Sequence, residues 1–470
     1  MPPSRSVLAD LEAHVKIPKS VFREYDVRGV IGTELTAEFA EHLGRSFGSV
    51  AIERLGRAPT LAVGCDNRPS SDGFSAALRR GILATGANVI NVGTVPTPAL
   101  YFALHVLAVD GGVMVTGSHN PPEFNGFKFG LAGESLYGEA ITQLGDRMEG
   151  ERYRAGTGTE TADQTVLSRY RAEIVARHHV ARPVKVVADC GNGAMSLVAI
   201  ETLRDLGVDV IPLFAESDGT FPNHHPDPTV VKNLVDLQRV VREQGAELGI
   251  AFDGDGDRIG AVDENTRPVW GDQLLVLYGR DAVRRFGKGV AVIFDVKCSE
   301  VLPQALTSAG ARPVIWKTGH SLIEAKMKEE KSPLAGEMSG HIFFGGDWYG
   351  FDDALFAAAR LLEIVAATPR GLAPLLADLP VTYATPELRV PCDDARKFGI
   401  VAEAVTYFGA KYPVITIDGV RITYPDGWGL LRASNTQPVL VLRFEASSPE
   451  ARDAHQAELM QWLAERGVRA

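Results

Sequence analysis

Short apolar segments rich in β-branched residues alternate with amphipathic segments over most of the chain. The first such segment, residues 60–66, predicts a strand, and the four-residue spacing of Phe74 and Leu78 predicts one face of the following helix. The alternation restarts near Val184 and again near Gly289, which indicates three α/β units of roughly 100 residues each. Strands that alternate with helices favour mixed, mostly parallel sheets covered on both faces.

The end of the chain has a different pattern. Short strands framed by helices predict a smaller α+β domain after residue 380. Segments rich in Gly, Thr, Glu and Pro are candidate linkers between the units. The chain is therefore predicted to form four domains, at residues 1–163, 164–267, 268–380 and 381–470.

Composition places the chain among globular proteins and excludes several partners. A length of 470 residues is too great for one hydrophobic core, and 45% hydrophobic with 23% charged residues is ordinary for a globular protein. A formal net charge of −11 argues against broad nucleic-acid or anionic-membrane surfaces. The N-terminus shows no signal sequence, no apolar run is long enough to span a membrane, and the four cysteines form no close pair. We expect a cytoplasmic protein with reduced thiols.

The third strand of the first unit ends in a loop with reactive side chains. Gly111–Val115 is an apolar strand, and the two prolines after Asn120 prevent a helix from following it. Ser118 and His119 therefore lie on a stiff loop at the carboxyl end of a strand, with Lys128 beyond it, where open α/β sheets place ligands. The alternative is an ordinary Ser/Asn turn that bonds its own backbone.

The third strand of the second unit leads into three aspartates. Asp253, Asp255 and Asp257 alternate with glycines, which let the backbone turn all three carboxylates towards one point. Hard oxygen ligands of this kind suit Mg²⁺ shared with a phosphate. An EF-hand is less favoured because Arg258 stands where that loop needs glycine and a strand precedes the loop. An acidic turn without metal remains the other alternative.

Two more polar loops come from the third unit and the last domain. Glu337, Ser339 and His341 lie on one face if the backbone is extended, and they suit sugar hydroxyls and proton transfer; the alternative is a helix N-cap. The last loop combines a guanidinium with short hydroxyl and amide donors, which suits a phosphate, although it is also compatible with a simple turn; its residues are Arg432, Ser434, Asn435 and Thr436.

Taken together, the four loops resemble the motifs of the α-D-phosphohexomutase superfamily. The motifs TGSHNPP, DGDGDR, GEMSGH and RASNTQP are similar to its phosphoserine, metal, sugar and phosphate loops, in the same order. The resemblance extends from Tyr25 to Pro438, and GEMSGH is similar to the phosphomannomutase/phosphoglucomutase branch. It implies four domains around a central cleft, with mobility of the last one.

The resemblance also implies an activity. Phosphorylated Ser118 would exchange its phosphate with a hexose phosphate, so that hexose 1-phosphates and 6-phosphates interconvert through a hexose 1,6-bisphosphate. One Mg²⁺ per active site, glucose 1,6-bisphosphate as activator, mannose and glucose phosphates as substrates and a monomeric state are expected. The rival hypotheses are a phosphoglucosamine mutase, a metal-dependent phosphatase that uses Ser118, and an inactive sugar-phosphate sensor.

Individual roles carried over from the resemblance fall into three groups. The implied catalytic residues are Ser118, His119, Lys128, Arg28 and His341. The implied substrate-binding residues are Tyr25, Lys297, His320, Glu337, Ser339, Arg432, Ser434, Asn435 and Thr436. The implied metal ligands are Ser118, Asp253, Asp255 and Asp257, with Arg258 supporting the metal loop.

Overall fold

A computed structural model describes residues 17–369, 371–435 and 437–469. Its strands form four separate sheets, one in each of four consecutive units of the chain. Short 3₁₀ helices lie at Lys19–Val21, Ala194–Leu197, Val231–Leu234 and Ala373–Leu376. Among the helices that the structure describes, none combines the length and hydropathy that a bilayer-spanning segment requires. All four cysteines are free and buried.

The first unit is built on a sheet with the order β1-β5-β4-β2-β3-β7, and β6 pairs with β5. Its strands are β1 (Val27–Val30), β2 (Thr60–Cys65), β3 (Asn88–Thr94), β4 (Gly111–Val115), β5 (Phe124–Leu131), β6 (Glu134–Ser135) and β7 (Glu160–Ala162). Its helices are α1 (Ala37–Leu55), α2 (Ser71–Leu83), α3 (Thr97–Val106) and α4 (Glu139–Glu149). Strand β7 lies in a segment whose composition indicated a linker, and it pairs with β3 at the sheet edge.

The second unit begins with α5 and has the sheet order β12-β11-β10-β8-β9. Its elements are α5 (Val166–Arg177), β8 (Lys185–Asp189), α6 (Ala199–Asp205), β9 (Asp209–Leu213), α7 (Val235–Gln244), β10 (Leu248–Phe252), β11 (Ile259–Asp263) and β12 (Pro268–Val269). The central pairs β10–β8 and β8–β9 are parallel. Strand β11 turns back antiparallel to β10.

The third unit has the sheet order β14-β13-β15-β16. Its elements are α8 (Gly271–Phe286), β13 (Ala291–Asp295), α9 (Val301–Ala309), β14 (Arg312–Trp316), α10 (His320–Glu330), β15 (Leu334–Gly336), β16 (Ile342–Phe344) and α11 (Ala354–Ala366). Asp353 starts α11 by accepting hydrogen bonds from the backbone N–H groups of Leu355 and Phe356, which a helix cannot satisfy internally.

The fourth unit carries an antiparallel sheet with the order β17-β22-β21-β20-β19, and β18 pairs with β22. Its elements are β17 (Tyr383–Ala384), β18 (Leu388–Pro391), α12 (Asp394–Gly409), β19 (Val414–Ile415), β20 (Val420–Tyr424), β21 (Gly427–Ala433), β22 (Val439–Ala446) and α13 (Pro449–Ala464). Leu459, Trp462 and Leu463 of α13 are buried in its own core. The α+β prediction for this unit is confirmed.

One structural rule places the polar loops of the first three units. Each loop joins the carboxyl end of a strand in parallel pairing to a strand that returns antiparallel, and these pairs are β4–β5, β10–β11 and β15–β16. Mixed sheets were predicted correctly, whereas the returning antiparallel strands were not foreseen. Each returning strand fixes the far end of its loop, so the functional side chains are held at both ends.

Candidate active site

Ser118 lies on the loop between β4 and β5 and is buried. Its Oγ donates to Oδ2 of Asp253 at 3.0 Å and lies 3.1 Å from Nδ1 of His119. Its backbone has a φ of 48°, a left-handed conformation that residues with a side chain rarely adopt. The structure thus brings the predicted nucleophile, a candidate base and a metal-loop carboxylate into contact.

The three aspartates of the second loop lie between β10 and β11 and are buried. Nζ of Lys128 donates to Oδ2 of Asp255 at 3.0 Å and also to Asp257. Oδ1 of Asp253 accepts from the backbone N–H groups of Gly256 and Arg258. Because strands flank this loop where an EF-hand has helices, the calcium-loop alternative is excluded.

The charges around the acidic loop differ from one carboxylate to the next. Burial, with the neighbouring Asp257 and Asp255, raises the pKa of Asp253 well above its usual value. Burial also raises the pKa of Asp257, but Lys128 and His341 more than offset this and hold it well below its usual value. Lys128 is buried too, yet Asp255 and Asp257 raise its pKa, so it stays charged.

This loop fits a divalent metal ion. Oxygens of Asp253, Asp255 and Asp257 lie within 4.8 Å of one another. Oδ1 of Asp255 is buried and accepts no hydrogen bond within the part of the chain that the structure describes. Buried carboxylate oxygens without donors are costly unless a cation compensates them, and hard oxygens suit Mg²⁺.

The loop between β15 and β16 meets the acidic loop from the third unit. It forms a tight turn rather than an extended segment, since the backbone N–H of Glu337 bonds the carbonyl of His341 and that of Gly340 bonds the carbonyl of Glu337. The extended-backbone interpretation of this loop is therefore wrong. The turn brings Oε2 of Glu337 to 2.7 Å from Nδ1 of His341, and Oγ of Ser339 lies 3.2 Å from the same nitrogen.

His341 connects the sugar loop to the metal loop. Its Nε2 lies 3.3 Å from Oδ1 of Asp257 and 3.1 Å from Nε of Arg258. Burial lowers the pKa of His341, but Asp257 and Glu337 more than offset this and raise it to about 10. Burial and the nearby Arg258 instead lower the pKa of His119 well below its usual value. The charged form of His341 is therefore favoured, whereas the neutral form of His119 is favoured.

Other predicted residues of the third and fourth units face the same region. Nζ of Lys297 lies 3.3 Å from Oε2 of Glu387, and the ring of His320 lies 5.8 Å from that of His341. Nε of Arg432 donates to Asp418 at 3.0 Å, and the carbonyl of Ser434 accepts from Lys397 at 2.5 Å. The predicted Thr436 lies outside the described residues.

Tyr25, just before β1, and Arg28, on β1, contact different parts of the molecule. Arg28 donates to Oδ1 of Asn120 at 2.9 Å, so it contacts the loop that carries Ser118. The hydroxyl of Tyr25 instead donates to the carbonyl of Thr318 at 2.8 Å and accepts from Asn435 at 3.0 Å. Tyr25 therefore joins the first, third and fourth units, a place that its position in the sequence did not indicate.

Sequence reasoning missed several polar residues that hold the Ser118 loop to the metal loop. Hydroxyls of Thr97 and Thr116 donate to Oδ2 of Asp255 at 2.6 and 3.1 Å. The same Thr116 hydroxyl lies 2.8 Å from Oδ2 of Asp66, so its one proton is shared between the two carboxylates, and this Asp66 oxygen also accepts from the backbone N–H of Gly117. Asp66 directly follows β2, as Asp253 directly follows β10, and this position after a strand was the signal available in the sequence.

By residue type His224 and His225 could bind a metal, but the Pro-rich sequence around them favours a structural role. Nε2 of His224 lies 3.0 Å from Oδ2 of Asp189, and its ring packs edge-on against Phe214. This arrangement agrees with the structural interpretation of the cluster at His224 and His225.

Comparison of the sequence with known proteins identifies the family of the chain. Profiles described as phosphoglucomutase/phosphomannomutase alpha/beta/alpha domain I, domain II and domain III and C-terminal domain match residues 19–154, 168–267, 270–383 and 387–461. The chain is 48% identical over 437 residues to the phosphomannomutase/phosphoglucomutase of Pseudomonas aeruginosa, covering 92% of this chain and 93% of that protein. It is 42% identical over 439 residues to the phosphoglucomutase of Neisseria meningitidis, covering 93% and 95%.

A solved structure agrees with these matches. The crystal structure of a phosphoglucomutase/phosphomannomutase family protein from Burkholderia thailandensis superimposes with a TM-score of 0.89 at 41% identity, over 95% of this chain and 97% of that one. The chain belongs to the phosphoglucomutase/phosphomannomutase family. The predictions of the family, of the four-unit α/β fold and of a phosphohexomutase activity are confirmed.

Proposed function

We propose that the protein interconverts the 1-phosphates and 6-phosphates of mannose and glucose through phosphorylated Ser118 and a hexose 1,6-bisphosphate. One observation carries the proposal: the Ser118 Oγ lies 3.0 Å from Asp253 and 3.1 Å from His119, within a buried cluster that the sugar loop reaches through His341. A nucleophile, a base, an acid and an oxygen-rich cation site thus surround one point.

The protonation states suit the return of a phosphate to Ser118. Ser118 Oγ attacks the phosphorus of the bisphosphate while the neutral His119 accepts its proton. The bond between phosphorus and the sugar oxygen breaks, and the protonated His341 donates a proton to the departing sugar oxygen. The reverse transfer uses the same groups in opposite roles. The bisphosphate must turn over between the two transfers, so that each of its phosphates in turn faces Ser118.

Positive charge at the site compensates the phosphates. Lys128 remains charged beside Asp255 and Asp257, and Arg28 reaches the loop of Ser118 through Asn120. Phosphoryl transfer depends mainly on such positioning and neutralisation. Asp253, Asp255 and Asp257, together with the phosphoserine, would hold one Mg²⁺, which supplies neutralisation of charge on the transferring oxygens. Glucose 1,6-bisphosphate would prime Ser118 as activator.

The remaining groups bind the sugar and its distal phosphate. Glu337 and Ser339 lie on the tight turn of the third unit, and we assign them to sugar hydroxyls. The fourth-unit loop at Arg432–Asn435, with Lys297 and His320, would hold the phosphate that is not being transferred. The position of Tyr25, whose hydroxyl already has two protein partners, favours a role in holding these units together.

A substrate panel tests this function. Mannose 1-phosphate, glucose 1-phosphate and glucosamine 1-phosphate are supplied with Mg²⁺ and trace glucose 1,6-bisphosphate, and the 6-phosphates and free phosphate are both measured. We expect fast turnover of both hexoses, and its loss when EDTA removes the metal. Turnover of glucosamine phosphate alone would indicate a phosphoglucosamine mutase, free phosphate as the main product a phosphatase, and no reaction a sensor.

The finer expectations on state and location belong to the same proposal. We infer a monomer, because one chain supplies all four loops that the mechanism uses, and we infer a cytoplasmic protein. Light scattering at assay concentrations tests the first point, and a mass of twice the chain's 50.6 kDa would contradict it.

A further inference from the structure

Arg68 lies beneath the loop that carries Ser118, with 2% of its surface exposed. Its Nη2 donates to the carbonyls of Ser118 and Asn120 at 2.7 and 2.6 Å. Its Nη1 donates to the carbonyls of Pro121 and Phe124 at 2.8 and 3.1 Å. One guanidinium therefore holds four backbone carbonyls of a single loop.

The guanidinium is itself closely confined. Its Nε lies 3.2 Å from Oδ2 of Asp66, and its Cζ lies 5.0 Å from the centre of the Phe221 ring. A Cβ added to Gly117 would lie 2.6 Å from both Cζ and Nε of Arg68. The glycine before Ser118 is thus required because the plane of Arg68 packs against it.

The carbonyls that Arg68 binds determine the direction of the reactive side chain. Ser118 has a left-handed backbone, which it would leave unless the surroundings fix it. Arg68 fixes the carbonyl side of Ser118. On the other side, the backbone N–H of Ser118 donates to Oγ1 of Thr116 at 2.8 Å. With both sides of the residue held, its Cα–Cβ bond is directed so that Oγ contacts Asp253 and His119.

We propose that Arg68 is a positioning residue for phosphoryl transfer, which holds Ser118 in its reactive conformation by binding four carbonyls of the Ser118–Phe124 loop. The proposal rests on the mutase function proposed above. Arg68 does not touch the reacting atoms, and the groups assigned to substrate binding lie in the third and fourth units. Its loss should therefore lower kcat more than it raises KM.

The main variant is Arg68→Lys. Lysine keeps the charge but has one nitrogen in place of the planar fork, so it cannot reach four carbonyls at once. We expect kcat to fall roughly 10²-fold, the size of effect that a 1 Å misplacement can cause, with KM changed by less than about threefold. The matched control is Arg360→Lys, a 1% exposed arginine of α11 that pairs with Asp347 and Glu363. It should keep kcat within about twofold.

Hydrogen exchange gives a readout that needs no activity. The backbone N–H groups of Asn120 and Phe124 bond to carbonyls inside the loop, at 2.9 and 3.0 Å. We expect them to exchange at least about tenfold faster in Arg68→Lys and not in Arg360→Lys. If Arg68→Lys does not fold, Arg68→Gln, which keeps a single amide donor group in place of the planar fork, replaces it, and the same criteria apply.

The outcomes separate the two proposals. An inactive wild type would contradict the mutase function, while hydrogen exchange would still decide whether Arg68 holds the loop. An active wild type with unchanged kcat in the folded Arg68→Lys variant would overturn the positioning role. So would equal losses of kcat in Arg68→Lys and Arg360→Lys, since these would reflect general destabilisation alone.

Discussion

The first three units and the fourth are held in place by different kinds of contact. A single hydrophobic cluster continues through the first three, where Phe102, Tyr170, Trp348 and Phe356 pack ring against ring. The fourth unit has a core of its own, and a small cluster around Trp428 contacts the third unit. The units that carry the nucleophile and the acidic loop thus form one body, and the phosphate loop lies outside it.

Buried arginines make up much of the contact with the fourth unit. Arg421 donates to the carbonyls of Val296 and Cys298 at 2.6 and 2.8 Å and lies over the ring of Trp428 at 3.7 Å. Arg443 lies 3.4 Å from Asp272. Polar interfaces within a chain permit relative motion more readily than a continuous apolar core. We infer from this difference that the chemical step belongs to the three-unit body, and we expect substrate capture and release to depend on the fourth unit.

The largest expected effect is on the chemistry of the three-unit body. Replacing Ser118 by Ala removes the group that carries the phosphate, so kcat should fall about 10⁴-fold or more. Initial rates with glucose 1-phosphate and incorporation of phosphate from glucose 1,6-bisphosphate both measure this. Ser75→Ala, a buried serine of α2, is the control and should retain its rate. A Ser118→Ala enzyme with substantial turnover would contradict the phosphoserine mechanism.

The second effect separates the stabilities of the two regions. Trp348 is 5% exposed in the shared cluster, and its Nε1 donates to Oδ2 of Asp353 at 3.0 Å. Trp348→Ala should lower the free energy of unfolding of the three-unit body by about 3–5 kcal/mol, measured by urea denaturation. Trp428→Ala should mainly raise KM, because it weakens the contact of the fourth unit. Similar effects of both variants on KM would contradict the comparison.

A third prediction concerns acid sensitivity of the shared body. His178 follows α5 and packs against Phe356 of α11, at 4.5 Å between rings, and burial lowers its pKa to about 3. In the unfolded chain this histidine has its ordinary pKa near 6.5. The contribution of His178 to the free energy of unfolding is therefore complete above pH 6.5, and it is lost as the pH falls towards about 3, because the unfolded state then binds a proton that the folded state does not. Each pH unit in this window should cost about 1.4 kcal/mol.

His178→Gln tests this prediction because glutamine does not titrate. Unfolding free energies of the wild type and the variant are compared at pH 7, 6 and 5. The wild type should lose more stability than the variant in each step below pH 6.5. Parallel pH profiles for the two proteins would show that His178 does not control the acid sensitivity.

The sequence predicted the four loops better than the contacts between them. Each loop is a contiguous motif after an apolar strand, so Ser118, Asp255, Glu337 and Arg432 could be found from local pattern and from resemblance. The pairing direction of the strands that follow could not, because a short apolar run does not show its partner. Arg68 was missed for a similar reason: its partners are carbonyls some fifty positions away, and carbonyls carry no sequence signal.

The smallest predicted effect is at the Tyr25 hydroxyl, which joins the three-unit body to the fourth unit. Tyr25→Phe removes the oxygen that accepts from Asn435, and Asn435→Ala removes the donor. Each change should weaken the closed arrangement by about 1 kcal/mol, which corresponds to roughly a fivefold rise in KM with a smaller change in kcat. Because both variants break the same hydrogen bond, the double variant should lose less than the sum of the two single losses, with the bond to Thr318 lost only when Tyr25 is changed. Additive losses would mean that Tyr25 and Asn435 act separately on the substrate, and the contact would then not govern closure of the fourth unit.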